Sequence, residues 1–175
     1  AVDEQATHGL SCRWSEGRQP RHAAINDIIH RSLASAKVPS HLEPNGLYRS
    51  DGKRPDGVTL IPWENGRALI WDATCPDTFA PSHLEVAARG AGDVAEQAER
   101  AKCLKYSSLE SKYRFVPVAI ETSGVFGPKA FPLFVRFGQS PHFSICGASG
   151  TKLLIAAYFD CSSEGQRSCS HGYLE

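Results

Sequence analysis

The residues that could do chemistry here are two aspartates, Asp56 in Arg54-Pro55-Asp56-Gly57 and, sixteen positions later, Asp72 in Ile70-Trp71-Asp72-Ala73-Thr74. Each lies in or beside an apolar, β-branched run, where a carboxylate is costly unless a metal ion or a partner holds it. Glu64-Asn65-Gly66 separates the two runs, and Asn-Gly between hydrophobic segments signals a hairpin. A three-residue loop would pair Trp63 with Arg67, set Val58 opposite Asp72, and set Asp56 opposite Thr74. Because side chains alternate along a strand, Asp56, Asp72 and Thr74 would then share one face. Two acids so placed could hold a divalent cation for phosphodiester hydrolysis.

A third group comes from a helix predicted over about Asp93 to Lys112. Its inward stripe reads Ala95, Ala98, Lys102, Lys105/Tyr106, Leu109 and Tyr113, and lysine is unusual on a stripe that should be apolar. Either lysine could snorkel to solvent. The alternative is that one reaches over the sheet to Asp56 and Asp72, where an ammonium would neutralise a phosphate or position water. Arg49, Lys53 and Arg54 crowd the approach to Asp56, either as a solvated loop or where phosphates would arrive.

The elements that must position these groups follow from periodicity. Ile25, Ile28, Ile29, Leu33 and Ala36 predict an amphipathic helix from Arg21 to about Lys37, stopped by Pro39. His41 to Tyr48 reads as a short edge strand. Strands over 55–63 and 67–75 form the central hairpin. Its faces are both apolar, with Val58, Leu60 and Ile70 on one and Ile61, Leu69 and Trp71 on the other. Such strands belong inside a sheet flanked by helices. With the Asp93 helix and a run from Phe115 to Ile120, the order is α-β-β-β-α-β, an α/β fold with a central mixed sheet.

Composition frames this. The 175 residues suit one compact domain; 19 basic residues balance 19 acidic ones, and 41% of positions are apolar. Zero net charge does not advertise nucleic-acid binding, yet Arg13 to Arg54 carries eight Lys/Arg against four Asp/Glu. Six scattered cysteines lack the density of a secreted disulfide scaffold, so an intracellular setting is expected. No apolar run is long enough to span a membrane, and none is expected as a partner. Methionine is absent even at position 1, which suggests a fragment or a reading frame within a longer element.

Two acids on neighbouring strands plus a lysine resemble the PD-(D/E)xK, or restriction-like, endonuclease fold. The usual lysine position, two beyond the second acid, is Thr74 here. A variant with the lysine on the following helix occurs in the endonuclease domain of site-specific non-LTR retrotransposons. The matching elements are Arg21-His22 with Asn26, Pro55-Asp56, Asp72-Ala73-Thr74, and Lys102-Cys103-Leu104-Lys105-Tyr106, in that order. The segments LEPNGLYRSDGKRPDGVTLIPW and WDATCPDTFAPSHL also resemble retrotransposon-derived, reverse-transcriptase-like proteins, and the likeness covers roughly residues 2–137.

The resemblance implies a restriction-endonuclease-like core over 21–137 and Mg²⁺-dependent (or Mn²⁺-dependent) nicking of DNA. Asp56 and Asp72 would ligate the metal. Lys102 would be the catalytic lysine, with Lys105 as understudy. His22, Arg49, Lys53, Arg54 and Tyr106 would meet nucleic acid, and Glu43 is a further candidate carboxylate. The implied partner besides DNA is the reverse transcriptase region of the parent polyprotein, and the implied site of action is the nucleus.

Residues 1–20 resemble the remnant of an upstream zinc-binding segment, of which His8 and Cys12 persist. Two ligands do not close a structural tetrahedron, so zinc is not expected. Past Phe137 the resemblance stops, and residues 138–175 read as an atypical tail. Lys152 to Gly165 (KLLIAAYFDCSSEG), back-translated and read one base later, permits NYLLQHISIAVQRG, a phrase expected at the family's C-terminus. A frameshift near 137–151 would account for it. Two other readings stay open: a catalytically inactive nucleic-acid-binding or structural remnant, and a metal-independent core in which the aspartates serve as caps and turn residues.

Overall fold

The computed structural model describes residues 18–47, 52 and 54–138. The protein is mixed α/β: α1 (Arg18–Ser35), β1 (Ser40–Leu42), β2 (Gly57–Thr59), β3 (Leu69–Thr74), a one-turn α2 (Leu84–Ala87), α3 (Asp93–Tyr106), β4 (Arg114–Ala119) and α4 (Ala130–Gly138). The sheet order is β1-β2-β3-β4, with the first two pairings antiparallel and β3–β4 parallel. A parallel pair needs a long crossover, and α3 supplies it. Nearly all of the segments read as 1–20 and 138–175 lie outside the described residues; the exceptions are 18–20 in α1 and Gly138 in α4.

Helix α1 buries Ile25, Ile28, Ile29 and Leu33, the stripe its periodicity predicts. It closes with two reverse bonds, Lys37 N–H to Ala34 O (2.9 Å) and Val38 N–H to Leu33 O (2.8 Å), with Lys37 left-handed at φ 59°. This Schellman closure satisfies the last carbonyls just before Pro39.

The hairpin differs from expectation in register. Its turn is the two-residue Asn65-Gly66, with φ of 50° and 72° and Glu64 bridged to Arg67. Positive φ at both central positions is the type I′ geometry that Asn-Gly favours. Inside the sheet Gly57 faces Trp71 and Val58 faces Ile70. Val58 is therefore not opposite Asp72, and Asp56 is not opposite Thr74; the slip is two residues. An even slip leaves the alternation of the paired residues unchanged, but Asp56 lies just outside β2.

Strand β2 is also shorter than the predicted 55–63. Leu60 and Ile61 are 64% and 41% exposed rather than core. Pro62 lacks a ladder N–H, and Thr59 substitutes for the lost strand. Its hydroxyl accepts from Leu69 N–H (2.9 Å) and donates to Ile61 O (2.9 Å).

Alternation divides β3 cleanly. Leu69, Trp71 and Ala73 face a core built with α1, Val118, Ile120 and the Ala130, Leu133, Phe134 and Phe137 positions of α4. Ile70 faces a smaller cluster with Tyr106 and Phe115 on the α3 side. Fully burying one large apolar side chain stabilises by about 1.5–3 kcal/mol, so the Trp71 face holds most of the stability. Helix α3 ends at Tyr106 and passes into a 3₁₀ turn, Ser107–Leu109, rather than running to Lys112. Helix α4 is an addition to the expected order. Its Pro132 sits in the first turn, where an N–H has no intrahelical acceptor in any case. Among the described residues no helix is long and apolar enough to cross a membrane.

Candidate functional site

The C-terminal end of β3 is where the chemistry converges. Asp72 points to the α3 side with its side chain 4% exposed. Its Oδ2 receives the Lys102 ammonium in a direct ion pair, and Lys105 Nζ stands 3.8 Å from the same oxygen. Its Oδ1 lies 2.9 Å from the Tyr106 hydroxyl, which is also 2.8 Å from the Arg54 carbonyl. Residues 102, 105 and 106 share a face because helical positions three and four apart are neighbours. The apolar stripe therefore carries a polar end aimed at one carboxylate.

Asp56 comes from the turn before β2 and is fixed by β3's backbone. Its N–H donates to Trp71 O (2.9 Å), and its Oδ2 accepts from Ala73 N–H (2.6 Å). The same Oδ2 is 2.9 Å from His22 Nε2 on α1. The carbonyl of the same residue lies 3.4 Å from Lys102 Nζ. The backbone of Ala73 thus touches both networks, its N–H that of Asp56 and its C=O that of Asp72.

Behind His22 the chain of contacts continues into the core. Trp71 Nε1, which can only donate, gives its proton to Asn26 Oδ1 at 3.0 Å. That fixes the Asn26 amide and turns its NH₂ to His22 Nδ1, at a long 3.4 Å. Burial pushes Asp56 up, but the His22 hydrogen bond and charge, the Ala73 N–H and Lys102 outweigh it, leaving the carboxyl below its usual range. Reciprocally, the hydrogen bond to Asp56 holds the His22 imidazole above its ordinary value against desolvation and the Lys102 charge.

The structure brings together Asp56, Asp72, Lys102, Lys105, His22 and Tyr106. Tyr106 is fully buried, with its hydroxyl engaged by Asp72 and the Arg54 carbonyl, so it positions Asp72. The Glu43 carboxylate is held in an ion pair by the Arg54 guanidinium. Arg54 therefore approaches Asp56 through its backbone, with its charge directed at Glu43. Arg49, Lys53, His8 and Cys12 lie outside the described residues.

Two participants had weaker signals in sequence. Asn26 was visible only as a motif position, and nothing pointed to its bond with Trp71. Gly57 carried no chemical signal at all, yet a Cβ there would come 2.1 Å from the Trp71 ring. No protein-family model and no curated protein matches the chain.

The donor set suits a hard divalent cation. Asp56 Oδ1 accepts no hydrogen bond among the described residues, and Asp72 supplies further carboxylate oxygens on the neighbouring strand. Oxygen donors with room for water are what Mg²⁺ takes, whereas zinc favours His and Cys. Among the described residues no cluster of three His, Cys, Asp or Glu side chains forms a ready-made cage.

Proposed function

We propose that the protein is a metal-dependent endonuclease with a restriction-like core, hydrolysing phosphodiester bonds in DNA. The observation that supports this best is the convergence of Asp56, Asp72 and Lys102 around the backbone of Ala73. Asp56 and Asp72 would hold Mg²⁺ or Mn²⁺, which when bound lowers the pKa of a coordinated water and offsets charge on the phosphate. Lys102, held at Asp72, places an ammonium where a phosphate oxygen or attacking water would sit, and Lys105 stands behind it. His22 keeps Asp56 oriented, and Tyr106 does the same for Asp72. The motif resemblance adds the biological setting: target-DNA nicking for retrotransposition in the nucleus, beside the reverse transcriptase region of a parent polyprotein.

A second reading, an inactive remnant, has its own support. Both carboxylates already have protein partners, the Lys102 ammonium on Asp72 and the His22 imidazole on Asp56, so the fold satisfies them without metal. Plasmid nicking separates the two. With Mg²⁺ the wild type should convert supercoiled DNA to open circles, and Asp72→Ala should abolish this. Equal nicking by wild type and Asp72→Ala, or none by a folded wild type, sinks the endonuclease reading.

A further inference from the structure

Arg21, in the first turns of α1, is 3% exposed, and its buried Nε has no hydrogen-bond partner. No ion pair is formed by this guanidinium among the described residues. A buried cation without a counter-charge is expensive, so the guanidinium is disposed to take an anionic guest. Arg21 lines a pocket of about 170 Å³ together with His22, Thr74 and Cys75. That is several times the roughly 30 Å³ share of one liquid water, enough for a tetrahedral oxoanion.

The other walls suit such a guest. The Thr74 hydroxyl forms no hydrogen bond among the described residues and can donate. His22 separates the pocket from Asp56, whose Oδ2 it touches at 2.9 Å. Among the described residues no carboxylate lines the pocket. A planar guanidinium favours paired oxygens of phosphate or carboxylate, and the neighbouring acid pair makes phosphate the consistent choice.

We infer that this pocket is a phosphate subsite, in which Arg21 and Thr74 receive the backbone phosphate adjacent to the one cleaved at Asp56 and Asp72. The identity of the anion as a strand phosphate rests on the endonuclease reading; the disposition of Arg21 to take an anion does not. The subsite fixes strand register, since phosphate contacts position a nucleic acid without reading its sequence.

The test uses the full chain in EDTA, so that no cleavage intervenes. A fluorescein-labelled duplex oligonucleotide is titrated across a salt series with wild type, Arg21→Lys and Arg21→Gln. We expect Arg21→Gln to weaken binding about tenfold and to lower the salt slope by about one, with Arg21→Lys between. Alkylation of Cys75, mapped by mass spectrometry against Cys103 as reference, supplies a readout on the wild type alone should a variant not fold. Duplex and millimolar inorganic phosphate should each slow it several-fold. Unchanged affinity and slope in a folded Arg21→Gln, or no protection of Cys75 by either probe, overturns the subsite. Protection by inorganic phosphate alone overturns its assignment to a strand. Asp72-dependent nicking alongside either result shows that the subsite failed and the endonuclease reading did not.

Discussion

Replacing Lys102 with methionine keeps the apolar stem and deletes the cation nearest Asp72. Two unit charges about 4 Å apart attract by roughly 4 kcal/mol at an effective dielectric near 20. Breaking one side of a buried pair costs about 3–5 kcal/mol, because the remaining charge is stranded. Asp72 meets that condition at 4% exposure, but Lys102 is 22% exposed and Lys105 Nζ stays 3.8 Å from the same oxygen. About half the cationic field therefore survives, and we expect Lys102→Met to lose about 2 kcal/mol. Lys105→Met should lose about 1 kcal/mol or less, and the double variant about 4 kcal/mol, since the second lysine is then no longer a reserve. Urea unfolding followed by tryptophan fluorescence measures these values. Repeating Lys102→Met in an Asp72→Asn background isolates the pair, and there its effect should shrink below about 0.5 kcal/mol. Coupling between positions 72 and 102 of less than about 0.5 kcal/mol would refute the reasoning. The same variants assign the catalytic lysine: Lys102→Met should lose nicking, while Lys105→Met retains most of it.

Three further outcomes follow from single contacts. Gly57→Ala pushes a methyl group into the Trp71 ring, and should lower stability by about 3 kcal/mol in the same denaturant assay, as overpacking does. Tyr106→Phe removes the donor shared by Asp72 Oδ1 and the Arg54 carbonyl, and should lose about 1–3 kcal/mol while weakening nicking. Glu99 is fully buried on α3, accepting from the N–H groups of Lys129 (2.9 Å) and Ala130 (2.8 Å) at the start of α4. Burial raises its folded pKa, and those N–H bonds only partly oppose this. The folded state then binds the proton more tightly than the unfolded chain. Its contribution to stability is thus most favourable at low pH and falls as pH rises through that window. Glu99→Gln should remove this component, seen as a flatter urea midpoint as pH rises above the ordinary glutamate range; an unchanged profile refutes it.

How much of this was legible depended on whether the signal was local. The α1 stripe, the Asn-Gly turn and the α3 lysines each announce themselves within a few residues, and α/β order followed from them. The hairpin register did not, because Thr59 replaces a ladder bond with its hydroxyl and releases residues 60–63 from the sheet. Nothing in a period-two pattern encodes that exchange. Helix α4 was hidden by Pro132, which reads as a breaker unless the helix start is known. At the site, alternation set Asp72 toward α3, but Asp56 lies outside β2 and its carboxylate meets His22 of α1, so the shared face expected of a fully paired hairpin was not legible. A sequence shows which groups can bind phosphate or metal, but only packing shows which are engaged by a closer partner, as Tyr106 and Glu43 are. Arg21 is the converse case, a buried group whose Nε has no hydrogen-bond partner.

The two acids are governed from opposite layers of the fold. Helix α1 packs on the Trp71 face and delivers His22 to Asp56, while α3 packs on the Ile70 face and delivers Lys102 and Tyr106 to Asp72. The layers meet at the backbone of Ala73, whose N–H serves one network and whose carbonyl serves the other. A shift of β3 along its axis would therefore disturb both carboxylates together, whereas a shift of either helix would disturb one. The Trp71–Asn26 bond ties α1 to the same strand two residues before Ala73. Docking of α1 is thus a condition for the geometry at Asp56, and a core change far from the acids, such as Leu33→Ala, should loosen His22 before it disturbs Lys102. Apolar burial in each layer thus sets the position of the polar group that layer delivers, and that is how a largely hydrophobic sheet can carry two polar networks at one end.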